Sequence, residues 1–301
     1  MATKAQQQAK MKIGKYIDPL SDMGFKRLFG SKPNKQILIH FLNALFKGRK
    51  EITDLTYNKN EQLGPRSRSR KTIYDLTCTG SDGEQFIIEV QRMRQQFFKD
   101  RAVYYTSRLI NDQAPRGGSW TYKLKEVYFI GLMEFPFDDS PKKEYLHRVD
   151  LRYQKSGEIF YDKLEFIFIE IPKFTKTEKE LTTEEDKWLF VLKNLSRLKK
   201  IPVILNSRVF SQLFDIAAVV NLNKEELMKY QTDLMASWDE YAVRETLLEE
   251  GREEGRGEGK EEIIKYMIIN EKLSDSRITK LTGVPAEVVK KIRLSIKNNR
   301  R

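Results

Sequence analysis

The segment TIYDLTCTGSDGEQFIIEVQ, residues 72–91, constrains this chain more than any other. Thr72–Thr79 and Gln85–Gln91 read as strands, and Ser81-Asp82-Gly83 between them supplies a turn, so a hairpin is predicted. Each run carries an acid: Asp75 between Tyr74 and Leu76, and Glu89 between Ile88 and Val90. Acids are depleted in strands and costly to bury alone, so two of them on neighbouring strands need a reason. Side chains two apart share a face, which sends Glu89 and Gln91 one way and Ile88 and Val90 the other.

Register decides whether the two acids meet. A three-residue turn with Gly83 left-handed sets Asp75 opposite Glu89. A two-residue Asp82-Gly83 turn sets Asp75 opposite Val90 and parts the carboxylates. The sequence permits both. In the first register the pair stands roughly 5 Å apart at Cβ, and two bare charges so close repel. A divalent cation removes that conflict and gives the pair a purpose. Magnesium suits one or two carboxylates together with waters and phosphate oxygens, where it polarises a phosphoryl oxygen and acidifies a bound water. The plainer alternative leaves Glu89 as a solvent-facing strand residue and Asp75 at an exposed edge, since this bare spacing often arises by chance.

Composition narrows the chemistry further. Two histidines and the single Cys78 cannot assemble a Cys/His zinc site. Any metal must therefore sit on oxygen ligands, which points to Mg2+, with Mn2+ or Ca2+ as alternatives. One cysteine also excludes an internal disulfide, as expected of a cytoplasmic protein. No apolar run approaches bilayer length, and the polar, basic start MATKAQQQAKMK does not resemble a secretion signal, so no membrane association is expected. The formal charge of +12 is uneven: residues 1–50 hold eleven Lys and Arg against Asp18 and Asp22, and residues 287–301 hold six against Glu287. Residues 239–262 reverse the sign, with ten acids and four bases. Basic ends point to a polyanion partner, and nucleic acid is the commonest.

Along the chain, Ser21 or Asp22 can cap a helix carrying Phe25, Leu28 and Phe29 and closed by Gly30. Asn34 can cap the next, which places Ile37, Leu38, Phe41, Leu42 and Leu45 at helical spacing. A helix is predicted over 97–113, strands over Lys125–Phe135, Arg148–Gln154 and Glu165–Phe174, and helices from Glu184 onward. From Trp238 a charged helix runs into the glycine-dotted EEGREEGRGEGKEE, which reads as helix or as flexible linker, the helix penalty of glycine favouring some flexibility. Ser274 can then open a helix carrying Ile278 and Leu281, followed by the turn Thr282-Gly283-Val284-Pro285 and a basic helix with Lys290, Lys291 and Arg293. This end fits a helix-turn-helix or a plain packed hairpin. The fold class is mixed α/β with a helical C-terminal tail. The expected division is a basic tail over 1–13, a main domain over 14–240, and a charged helix with its hairpin over 241–301.

Four motifs, in order, give a more specific reading: DMGFKRLFG, YDLTC, IIEVQ and RAVYYTSRLINDQ. Together they resemble the PD-(D/E)XK nuclease family transposases, which include bacterial recombination-promoting nucleases. The resemblance covers residues 14–240 and is densest over 18–135. It implies a restriction-endonuclease-like core, a mixed sheet flanked by helices. By position it makes Asp75 and Glu89 metal-binding acids, with Gln91 completing the catalytic centre where many such nucleases carry lysine. Glutamine offers hydrogen bonds without the lysine charge. Asp22 matches an acid of the first motif and either completes the metal shell through water or caps its helix.

Arg66, Arg68 and Arg70, just before the first strand, are expected to follow a phosphate backbone, and Arg108 joins them from the helix after the hairpin. A solvated basic loop and a packed helix are the structural alternatives. Tyr104 and Tyr105 are placed beside Arg108 on the same footing. The expected activity is metal-dependent hydrolysis of DNA phosphodiester bonds, in recombination or mobile elements. A nuclease-like module that binds DNA or protein without cutting is the second hypothesis, and RNA cleavage the third. A homo-oligomer is compatible with the sequence.

Overall fold

The computed structural model describes residues 13–59, 61–62, 72–115 and 120–298. Helix α1, Asp22–Phe29, begins where Ser21 accepts a hydrogen bond from the Gly24 amide at 3.0 Å. Ser21 is thus the cap, and Asp22 is the first residue inside the helix. Gly24 is required there, because a Cβ would lie 1.9 Å from the Asp18 carbonyl oxygen. After a short 3₁₀ turn, α2 spans Lys35–Leu45 and buries Ile37, Leu38, Phe41, Leu42 and Leu45. Asn34 precedes it but makes no capping bond; its amide donates instead to the Arg27 carbonyl at 2.7 Å.

The strands are β1 (Leu55–Tyr57), β2 (Glu61–Gln62), β3 (Thr72–Ile73), β4 (Leu76–Gly80), β5 (Gln85–Gln91), β6 (Val127–Met133), β7 (Leu146–Arg152) and β8 (Ile159–Glu170). Six of them form one mixed sheet in the order β1-β4-β5-β6-β8-β7, with β5, β6 and β8 parallel at its centre. The run Thr72–Thr79, expected as one strand, is broken at Tyr74 and Asp75. Its first two residues pair with β2 in a separate two-stranded sheet. Tyr74 is buried at the break, packed edge-on against Tyr105.

Helices cover both faces of the large sheet. On one face α3, Phe98–Asp112, packs Phe98, Ala102 and Leu109 against Ile87, Phe129 and Phe168. On the other, Phe46 at the end of α2 meets Phe86 and Tyr128. Helices α4 (Glu184–Asn194) and α5 (Arg208–Ala217) extend that layer, with Trp188 and Phe210 joining Phe29 and Phe41 in an aromatic cluster. A capping box at Thr183 and Asp186 starts α4.

Contacts divide the chain into two compact units, Met1–Asp233 and Leu234–Arg301. Helix α6, Lys224–Ile269, is continuous through the glycine-dotted stretch. In the second unit α7 (Asp275–Thr282) and α8 (Ala286–Asn298) fold as a hairpin with Gly283 left-handed at the turn. Ile278, Val289 and Ile292 bury against Ile264. Arg293, one of the basic residues of the expected DNA-facing helix, is committed within the hairpin to Asp275 at 2.7 Å and to the Leu273 carbonyl at 2.6 Å. Among the described residues no helix is long and apolar enough to cross a membrane.

Candidate active site

The hairpin adopts the register that unites the acids. Leu76 pairs with Ile88 and Cys78 with Phe86, so one further step sets Asp75 opposite Glu89. A three-residue turn makes this possible. The Gly80 amide donates to the Glu84 carbonyl at 2.8 Å, and Gly83 takes φ +86, a region open to glycine. The Glu84 carboxylate tucks beneath the turn and accepts the Asp82 amide at 3.0 Å.

Strand pairing stops at Leu76, and the side chains of the two acids take over. The Asp75 amide donates to Glu89 Oε1 at 3.0 Å, and the Val90 amide donates to Asp75 Oδ2 at 2.7 Å. Each carboxylate is therefore oriented by a main-chain N–H of the other strand. Glu89 is 1% exposed. Burial, then the neighbouring charge of Asp75, pushes its carboxyl up to about 8. Burial likewise raises Asp75, with the Val90 amide and Arg101 acting in the opposite sense. Two acids held together under desolvation are a poor structural solution and a good cation site. Their hard oxygen donors suit Mg2+ or Mn2+. Among the described residues no group of three or more His, Cys, Asp or Glu gathers for a metal ion.

A basic residue faces the pair. Arg101, in the first turn of α3, donates from Nη2 to Glu89 Oε2 at 2.7 Å and from Nη1 to Gln95 Oε1 at 2.8 Å. Its guanidinium lies over the rings of Phe98 and Tyr105. Sequence pattern singles out Arg108 on this helix but gives Arg101 no role. Helical spacing was the available signal, since Arg101, Tyr105 and Arg108 stand four and three apart and share one face.

The family model described as PD-(D/E)XK nuclease family transposase matches residues 19–246, most of the chain and all of this site. The chain belongs to the PD-(D/E)XK nuclease family transposases. No curated protein and no solved structure matches it. The match ends within α6, so the α7–α8 hairpin lies beyond the family region.

Other positions of the PD-(D/E)XK reading fall around the pair in different ways. Gln91 lies two residues beyond Glu89 on β5, is 8% exposed, and donates from Nε2 to the Met93 carbonyl at 3.0 Å. Asp22 projects from the first turn of α1 and pairs with Lys26 at 2.5 Å. Its charge acts on Asp75, raising that carboxyl slightly further. Arg108 is 9% exposed, and its charge bears on Tyr74. A buried guanidinium there offers little to a strand passing over the surface. Tyr104 is exposed and Tyr105 is half-buried. Arg66, Arg68 and Arg70 lie outside the described residues.

Proposed function

We propose that this chain is a divalent-metal-dependent DNA endonuclease acting in recombination or mobile-element movement. The observation that carries the proposal is the facing pair Asp75 and Glu89, two carboxylates kept in mutual conflict in a largely desolvated place. Asp75 and Glu89 would hold Mg2+, each with a main-chain N–H fixing one of its oxygens. A bound ion supplies a water of lowered pKa and an electrophilic contact to a phosphoryl oxygen. Gln91, with its amide nitrogen directed to Met93, presents its side-chain carbonyl as an acceptor for the attacking water. Asp22 would contribute through water, balanced by Lys26. Arg66, Arg68 and Arg70 would hold the phosphate backbone. In hydrolysis the water oxygen bonds to phosphorus, one P–O ester bond breaks, and the departing oxygen takes up a proton.

The test is incubation of the purified chain with supercoiled plasmid, in Mg2+ or in EDTA. Nicking is expected with Mg2+, to be absent in EDTA, and to be lost in Asp75→Ala while the thermal unfolding transition persists. Absence of cleavage with Mg2+, Mn2+ and Ca2+ alike, with DNA still bound, would favour a non-cutting binding module. Cutting of RNA in place of DNA would reassign the substrate.

A further inference from the structure

The pair is not bare, and its present partner has a vacancy of its own. Arg101 holds Glu89 Oε2 through Nη2 alone, while its Nε–H, the second donor on the same edge of the guanidinium, is buried with no hydrogen-bond partner among the described residues. That edge is a two-donor fork shaped for an oxyanion with two acceptors, such as a carboxylate or a phosphate. Here it meets one oxygen, because the Asp75 amide already holds Glu89 Oε1. A buried, unmet donor beside a half-filled fork needs an explanation.

A second observation concerns charge. Gln91 stands on the same face of β5, two residues from Glu89, and carries no charge. Arg101 is the cation that the described structure presents at Glu89. Its side chain is 28% exposed, so the guanidinium is not sealed from solvent as Glu89 is. The aromatic rings beneath it provide a surface on which the flat guanidinium can turn while staying stacked.

From these contacts we infer that Arg101 is a two-position residue of the site. Before an ion arrives it occupies Glu89; once an ion takes that carboxylate, its Nε and Nη2 edge passes to a phosphate oxygen of the DNA. The inference rests on the nuclease reading and deepens it. Arg101 then competes with the ion for Glu89 and assists the substrate, so its removal has opposite effects on the two. An arginine that only orients Glu89, or only packs on the rings, gives no such opposition.

The experiment compares the full chain with Arg101→Met, which keeps an unbranched apolar stem but removes the guanidinium and its charge, and with Arg101→Lys, which keeps charge but loses the fork. Mn2+ affinity is measured by calorimetry without DNA, and single-turnover cleavage of a duplex is measured at saturating Mn2+. Arg101→Met is expected to bind Mn2+ about tenfold more tightly, because a competing cation is gone, and to cut about 100-fold more slowly. Arg101→Lys is expected to cut more slowly than the parent at similar Mn2+ affinity. If Arg101→Met has no cooperative unfolding transition, Arg101→Lys decides alone: cleavage at the parental rate overturns the inference. Weaker Mn2+ binding in Arg101→Met makes Arg101 a positioning residue for Glu89 and overturns it too, as do unchanged affinity and rate. A parent that binds no Mn2+ and cuts no DNA removes the nuclease reading itself, whatever the variants do.

Discussion

Asp75 and Glu89 are a structural disadvantage to the ion-free fold, one that the proposed function would explain. Both carboxyls are raised from their ordinary values, so their protonated forms favour the folded state. That contribution is complete below the unfolded value near 4.5 for Glu89 and is lost as pH rises through about 8. Folding stability without divalent ions is therefore expected to decline across that window. Asp75→Asn keeps an oxygen for the Val90 amide and removes the charge facing Glu89. It is expected to stabilise the ion-free protein by about 1 kcal/mol at pH 8, with a flatter pH dependence, while abolishing metal-dependent cleavage. Urea unfolding at several pH values gives the answer. A variant less stable than its parent at pH 8 would mean that the Asp75 charge holds the fold together.

Among elements, the hairpin was the most legible and its register the least. Alternation and the Asp82-Gly83 pair announced two strands, but the choice of turn lies with Glu84, whose buried carboxylate bonds the Asp82 amide, a contact without a periodic signature. The pattern also could not mark the break at Tyr74, which arises because that ring is buried edge-on against Tyr105 of α3. Arg101 was missed for a related reason: which arginine of a helix faces a carboxylate depends on how the helix is rotated on the sheet. The sequence left the stretch over residues 249–262 open between helix and linker, since glycine penalises helix; in the structure it is helical throughout. A Cβ built on Gly251, Gly255 or Gly259 meets nothing within 4 Å. Gly255→Ala is thus expected to strengthen α6 by about 0.5–1 kcal/mol, slowing hydrogen exchange of the surrounding amides about fivefold. Unchanged exchange there would show that this stretch is not helical in solution.

The whole molecule combines a basic nuclease-like unit with a second unit whose helix is strongly acidic, while the chain keeps a charge of +12. If the basic residues grip phosphates, DNA affinity should fall steeply with salt, in proportion to the contacts made. Arg293 is tied to Asp275, whereas Lys290 and Lys291 are exposed. The double change Lys290→Gln and Lys291→Gln should lower the slope of log affinity against log salt by about 2 if the α7–α8 hairpin touches DNA. An unchanged slope assigns the hairpin to packing or assembly. The amides of Asp75 and Val90 provide a further, spectroscopic consequence. Because each is bonded to a carboxylate of the candidate site, their NMR resonances form a paired reporter at the site itself. Protonation, ion capture and release of Arg101 each alter the acceptor these protons see. Following the two signals through titrations of acid and of Mg2+ would therefore reveal the occupancy of the centre without any nucleic acid in the tube.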